Sequence, residues 1–381
     1  MTDATWGSPF TEEEELYRDT VRTFVQRELE PVFMDLPPRG PQRRELWRRA
    51  GSAGILGACI PEEYGGAGAS TLCNVILSYE LGRSPSYATI GSFVATDLAT
   101  SVLVSGGSDG LLRKWSPKIL AGEAIQCLAL TEAGAGSDAT AIRATAVRDG
   151  DDYVINGAKV FITNADFADI IYVVAKTDPK LRGKGMSIFL VESDRAGVTQ
   201  RPLKTMGFSS GNTGEVHLDN VRVPAENLLG GEGGAFKLLM SSLASDRLQI
   251  GGRALAQAEL ALEITVDYVK QRKAFGQALV EFQNTQIKLA EAKADIEAGR
   301  AFFYQTVRKV RAGQCSEADT AMMKVWLTEM SGRVIDLCLQ FWGGAGFMDE
   351  MTISRLYTSN RVLRIYGGTS EILKLLVARS L

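Results

Sequence analysis

The sequence predicts a three-part α+β chain: a helical N-terminal domain, a middle β domain and a C-terminal helical bundle. Two observations carry this. Before residue 126 and after residue 231, apolar residues recur at threes and fours, the spacing of one helix face. Between them, short β-branched runs bounded by turn residues replace that period. The divisions fall at 1–125, 126–231 and 232–381.

The first helix is predicted in TEEEELYRDTVRTFVQREL. Thr11 serves as N-cap, and acidic residues fill the first turn, where the helix dipole favours them. Leu16, Val21, Phe24 and Val25 form its apolar face. PEEYGGAGAS, residues 61–70, breaks the pattern and reads as a loop. In TAVRDGDDYVINGAKVFIT, Asn156-Gly157 between two β-branched runs predicts a hairpin turn. ADIIYVVAKT, MSIFLVES and GEVHLDNVRVP follow as further strands. After NLLGGEGGA, two stripes mark helices: Leu255, Ala258, Leu262, Val266 and Val269, then Met323, Trp326, Met330, Val334, Leu337 and Phe341.

Composition narrows the function. The 381 residues exceed what one compact core supports. A formal net charge of −3 provides no field for nucleic acid or an anionic membrane surface. No run approaches the ~18 apolar residues of a membrane-spanning helix. The acidic start, MTDATWGSPFTEEEEL, has neither the basic region nor the apolar core of a leader, and the scattered cysteines predict reduced thiols in a cytoplasm. Cysteines 59, 73, 127, 315 and 338 form no CxxC pair, so neither a zinc nor a disulfide framework is expected. The one histidine, His217, lies between Val216 and Leu218 in an alternating stretch and is read as facing solvent. No multi-histidine metal site is available. Chemistry must rest on carboxylates, backbone amides or a cofactor.

Five segments stand out, each with a plain alternative. LTEAGAGSD, 130–138, offers small residues that let amides approach a ligand, with hydroxyls from Thr131 and Ser137; a ligand-free glycine loop would look the same. Neither GxGxxG nor GK[ST] occurs in the strand–helix context that those motifs need. In KVFITNA, Phe161 and Thr163 share a strand face and suit a planar ring, or a sheet core. QRKAFGQALVEFQNTQ, 271–286, places Arg272 and Lys273 just before a glycine break, followed by Phe282 and Gln283; the arginine suits a phosphate, or an exposed basic helix end. QFWGGAGF and RIYGGTSEI each spend two glycines in a helical half, as helix caps or as helix ends against a ligand.

Taken together these segments resemble the acyl-CoA dehydrogenase family over essentially the whole chain. LTEAGAGSD resembles the family's TEPGAGSD, with Ala133 in place of proline. NGAKVFITNA, GFSSGNTGEVHLDNVRVPAENLLG, DRLQIGGRALAQAELALEITVDYVKQRKAFG, FQNTQ, QFWGGAGF and RIYGGTSEIL follow in the family's order. The resemblance implies a middle domain of barrel-like form, a four-helix bundle, a homotetramer built of two dimers, and FAD bound without a Rossmann fold. It implies that the loop from Leu128 through Leu130, Thr131 and Gly136 to Ser137 lines the flavin, flanked by Phe161 and Thr163. It implies that Arg272, Phe282, Gln283, Gln340, Gly343 and Gly344 reach a neighbouring subunit's FAD, and that Thr369 and Ser370 hold the pyrophosphate side. Ser137, Arg247 and Gly368 would contact substrate. Electron-transfer flavoprotein would be the acceptor.

The family reaction is α,β-dehydrogenation of an acyl thioester, with a carboxylate as base. Most members read IYEGT, and that glutamate is the base. Here the position is Gly367, which keeps the amide that donates to the substrate's developing enolate oxygen but has no carboxylate. The isovaleryl and long-chain branch carries the base on the first bundle helix, where this chain has Asp246, followed by Arg247. Aspartate reaches ~1.5 Å less than glutamate, a displacement that can cost ~10²-fold in rate. The plain alternative is that Asp246 only stabilises a helix N-terminus. The resemblance also leaves room for a thioester on an acyl carrier protein, for a flavin oxidase or monooxygenase on the same fold, and for a flavin-binding subunit without activity.

Overall fold

The computed structural model describes residues 7–32, 40–85, 93–207 and 213–381. The first residues of the acidic start and the FSSGN of the GFSSGNTGEV segment lie outside them.

The chain opens on helices α1 (Glu12–Phe24), α2 (Pro41–Ser52), α3 (Leu72–Gly82), α4 (Phe93–Gly106) and α5 (Asp109–Leu120). Thr11 caps α1 as predicted. Its hydroxyl accepts from the Glu14 amide at 3.3 Å, and the Glu14 carboxylate accepts from the Thr11 amide at 2.9 Å. Val21, Phe24 and Val25 are buried, but Leu16 is 68% exposed. Five residues turn a helix to about 140° from its starting direction, so Leu16 and Val21 do not share a face.

The middle region forms one curled sheet of β1 (Gln126–Ala129), β2 (Thr145–Asp149), β3 (Asp152–Thr163), β4 (Ile170–Lys176), β5 (Met186–Glu192), β6 (Val198–Pro202), β7 (Thr213–Pro224) and β8 (Leu228–Leu229). The order is β6-β7-β3-β2-β4-β5-β8, with β1 beside β4 in parallel. Strands β4 and β5 are buried on both faces, hence their continuous apolar runs. Ile171, Val173 and Phe189 join Ile155 and Val223 in the sheet's own core. Ile170, Tyr172 and Ile188 pack on Val102, Leu103 and Trp115 of α4 and α5. His217 is half-exposed between buried Val216 and Leu218, as expected.

The hairpin turn does not fall at Asn156-Gly157. Strands β2 and β3 close at Gly150, φ +63°, with Asp149 opposite Asp152. Asn156 and Gly157 sit inside β3, where the register against β7 slips. The Asn156 carboxamide oxygen accepts from the Asn220 amide at 2.8 Å. A Cβ on Gly157 would stand 2.6 Å from Ala144 Cβ, so the glycine makes room for the chain entering β2. The Asp149-Gly150 dipeptide, an equally good turn former, closes the hairpin instead.

The remainder is helical: α6 (Ala235–Gln271), α7 (Gln283–Arg311), α8 (Glu317–Trp342), α9 (Thr352–Asn360) and α10 (Ser370–Ala378). Both predicted stripes face the bundle core, where Leu255, Ala258, Val269, Met323, Met330 and Val334 are buried. Leu72, Val75 and Ile76 of α3 join the same core and fix the N-terminal helices to the bundle.

Candidate active site

After α9 the chain turns through Tyr366, Gly367 and Gly368, the glycines at φ +63° and +89°. This left-handed backbone strains any residue with a side chain. A Cβ on Gly367 would lie 3.0 Å from Asp246 Oδ2 and 2.3 Å from Ile250 Cδ1. The carboxylate of Asp246, on α6, thus takes the space beside the Gly367 α-carbon. Thr369 then caps α10, its hydroxyl accepting from the Ile372 amide at 3.3 Å, and Ser370 is buried in the first turn.

Asp246 is half-buried. Desolvation raises its pKa above the ordinary 3.8, while the charges of Arg253, Lys324 and Arg247 pull it back. Arg247 is only 5% exposed. Its Nε and Nη1 meet no acceptor among the described residues. Burial lowers its pKa, opposed by Glu317 and Asp246. Such a guanidinium is expensive to bury unless a ligand supplies the acceptor.

Two further cations hold the glycine turn. Lys324 on α8 is fully buried; its Nζ donates to the carbonyl oxygens of Tyr366 at 3.0 Å and Gly368 at 2.7 Å. Burial pushes its pKa down to about 8. Arg253 donates from Nε and Nη2 to Ser78 Oγ at 3.1 and 2.8 Å, and from Nη1 to the Tyr366 hydroxyl. Sequence reasoning missed both. The signal for Lys324 was there: a lysine beside Met323 in an apolar stripe, at a position where only a paired charge survives burial.

The 128–137 loop is stitched to β3 by a second buried lysine. Lys159 Nζ donates to Glu132 Oε1 at 2.7 Å and to the Leu130 carbonyl at 3.0 Å. Glu132 also accepts from the amides of Arg143 at 2.6 Å and Ala144 at 2.9 Å. Burial works against its ionisation, but these donors outweigh it and hold its pKa down. The Val160 amide donates to the Thr131 carbonyl at 2.9 Å. Leu128 and Leu130 pack partly against the core shared with α4 and α5. On the other side Gly136 and Ser137 are exposed, and a Cβ on Gly134 or Gly136 would meet nothing within 4 Å. Phe161 sits at φ +61° in a register slip between Lys159 and Ile162, and is 67% exposed. Ile162 points to the core, so Phe161 and half-buried Thr163 both turn away from it.

The other predicted residues gather at the far end of the bundle. The Leu279 amide donates to the Arg272 carbonyl at 2.9 Å, closing a small hairpin that brings Phe282 edge-on to Phe275 at 6.4 Å. Gln283 begins α7. Trp342 stacks on Tyr268 at 4.2 Å, which brings Gln340, Gly343 and Gly344 to the same end. Phe275 is 97% and Phe347 85% exposed there. Asp246 and Arg272 lie about 39 Å apart along α6 at ~1.5 Å per residue. Arg272 and its neighbours therefore stand far from Asp246 within a single chain. Among the described residues, no cluster of His, Cys, Asp or Glu could hold a metal, and no helix is long and apolar enough to cross a membrane.

Comparison with known proteins places these features in context. Profiles of the acyl-CoA dehydrogenase N-terminal, middle and C-terminal domains match residues 11–123, 127–221 and 233–381. The chain is 38% identical to the mitochondrial long-chain specific acyl-CoA dehydrogenase of Sus scrofa, over 100% of this chain and 89% of that protein. It superposes on an acyl-CoA dehydrogenase of Geobacillus kaustophilus with a TM-score of 0.91 and 38% identity, covering 97% of this chain and 98% of the other. A glutaryl-CoA dehydrogenase of Mycobacterium smegmatis in complex with FADH2 superposes with a TM-score of 0.88 at 29% identity, covering 98% and 95%.

Proposed function

The chain belongs to the acyl-CoA dehydrogenase family, and we propose that it oxidises the Cα–Cβ bond of an acyl-CoA with Asp246 as the base. It is a flavin-dependent oxidoreductase, and its cofactor is FAD. The residues present fit that cofactor. An exposed aromatic beside a hydroxyl, Phe161 and Thr163, suits a planar ring. Open backbone at Gly134 and Gly136 suits close approach, and the Thr369-capped end of α10 suits a pyrophosphate.

Bound FAD supplies the acceptor for the β-hydrogen, which leaves as hydride. The protein's own residues do the rest. Asp246 takes the α-proton. That proton is far too weakly acidic for a carboxylate alone, so the developing charge on the thioester oxygen must be met by a donor. The Gly367 amide is that donor, with Gly368, Ser137 and Arg247 holding the thioester. Arg247 gains the acceptor that its buried Nε and Nη1 lack. Leu128, Leu130, Thr131, Gly136 and Ser137 would line the flavin, and Thr369 and Ser370 would hold its phosphates. Arg272, Phe282, Gln283, Gln340, Gly343 and Gly344 would serve a neighbouring subunit's cofactor, which makes oligomerisation a condition of activity; the family resemblance makes that oligomer a homotetramer. Electron-transfer flavoprotein takes the electrons.

The observation that carries this reading is the placement of the Asp246 carboxylate beside Gly367, at the point where a side chain from the terminal turn would begin. Long-chain acyl-CoAs are the first substrates to test, given the 38% identity to a long-chain enzyme. Anaerobic mixing of the purified yellow protein with acyl-CoAs of graded length and branching is expected to bleach the flavin absorbance. No bleaching by any of them would overturn the reading.

A further inference from the structure

We propose that Lys324 aims and strengthens the Gly367 amide as a donor to the substrate's thioester oxygen. The inference rests on the reaction proposed above and assigns it a positioning residue on a helix remote in sequence from the turn.

The argument begins with the peptide unit. The Tyr366 carbonyl and the Gly367 N–H belong to one planar trans amide, so they point in opposite directions. Whatever holds the carbonyl therefore sets the direction of the N–H. Lys324 Nζ holds it at 3.0 Å, and holds the Gly368 carbonyl at 2.7 Å. Both residues after Tyr366 are glycines, the type most free to rotate a peptide plane. With no side chain at 367 or 368 to lock the turn, two bonds from one buried ammonium select one orientation. Bonds to a charged donor are shorter and about twice as strong as neutral ones. A carbonyl drawn toward a cation also polarises its own amide, which makes the N–H a better donor.

The position is otherwise built for an apolar residue. Met323 and Val325 flank Lys324 on α8, and all three are buried. Burying an ammonium there is costly unless it is bonded, and the carbonyls it finds belong to the one turn that carries the donor. The charged groups around it are Asp246, Arg247 and Glu371. The Tyr366 ring is fixed separately, through Arg253 and Ser78, so Lys324 governs the backbone rather than the side chain.

The test uses the FAD-loaded enzyme and acetoacetyl-CoA, a 3-ketoacyl thioester that forms an enolate when its carbonyl oxygens meet donors. The ultraviolet absorbance of the enolate reports the enolate-to-keto ratio of the bound probe. Lys324→Met is expected to lower that ratio about tenfold or more, since losing one such donor costs ~10²–10³ in rate. The dissociation constant of the probe is expected to rise by no more than the ratio falls, and FAD content to stay unchanged. Lys324→Gln keeps one donor without the charge and is expected to recover part of the ratio, and it serves also if the Met variant does not fold. An unchanged ratio in Lys324→Met overturns this inference and leaves the Asp246 reading intact. Equal loss in both variants assigns the effect to charge and overturns the aiming role. A wild-type enzyme that does not enolise the probe overturns the proposed reaction and this inference with it.

Discussion

The α-carbon of Gly367 and the carboxylate of Asp246 face each other: a Cβ built on the glycine would stand 3.0 Å from Asp246 Oδ2. Two distant chain positions, one on α6 and one in the terminal turn, thus converge on one point. A base can be delivered there from either side, but the two compete for the same room. Ile250 takes what is left, its Cδ1 2.3 Å from that absent Cβ.

Gly367→Glu will not restore activity to Asp246→Asn. The new side chain meets Ile250 and must adopt φ +63°. Strain and overpacking together destabilise by about 1–3 kcal/mol or more, read as a lower melting temperature of the flavin-loaded protein. A double variant that melts like wild type and reduces its flavin with substrate would contradict the crowding described here.

Activity and stability respond to pH through Asp246 in opposite senses. The base must be ionised, so turnover falls as pH drops through its raised pKa, at a higher pH than an ordinary carboxylate near 3.8 would give. An acid with a raised folded pKa binds its proton more tightly when folded. Its contribution to stability is full below the unfolded value and is lost as pH rises through the folded value. Asp246→Asn, which mimics the protonated form, is expected to melt above wild type at neutral pH, with the difference shrinking in acid. Melting curves at several pH values check this; a variant that melts lower at neutral pH contradicts it.

Lys159→Met is expected to release FAD. Lys159 is fully buried, Glu132 is 10% exposed, and they pair at 2.7 Å beneath the 128–137 loop. Removing one partner of a buried pair costs about 3–5 kcal/mol. The flavin-to-protein absorbance ratio after gel filtration and the melting temperature both fall. Retention of full flavin would separate this pair from the loop's function.

Arg272→Ala is expected to weaken FAD binding about tenfold, the loss of a charge-assisted contact. Because Arg272 and Asp246 lie about 39 Å apart along α6, a site that uses both would draw them from different subunits. At an FAD concentration too low to load Arg272→Ala, mixed oligomers of Arg272→Ala and Asp246→Asn chains are therefore expected to regain flavin reduction that neither variant shows alone. Mixtures that stay inactive would place both residues in the service of one subunit's cofactor.

Much of this was legible in the sequence, and the remainder shows where one-dimensional reasoning stops. The helical stripes, the α1 cap and the solvent-facing His217 follow from local periodicity and capping, which depend on near neighbours. The hairpin turn was misplaced because two good turn dipeptides lie close together, and the packing of β7 against β3 decides between them. Leu16 was drawn into an apolar face that helix geometry does not give it. Asp246 could be named from its motif, but its meeting with Gly367 is a tertiary fact. Lys324 and Lys159 stayed hidden because a lysine is read as a surface residue until a carbonyl or carboxylate is found beside it.

The most direct measurement is anaerobic reduction of flavin-loaded Asp246→Asn by an acyl-CoA that bleaches the wild-type protein. The substitution keeps the shape and removes the proton acceptor. The variant is predicted to bind FAD and the acyl-CoA normally, and its flavin is predicted to stay oxidised over the time in which wild type is fully bleached. Bleaching at a rate near that of wild type would remove Asp246 from the chemistry and leave the base unassigned.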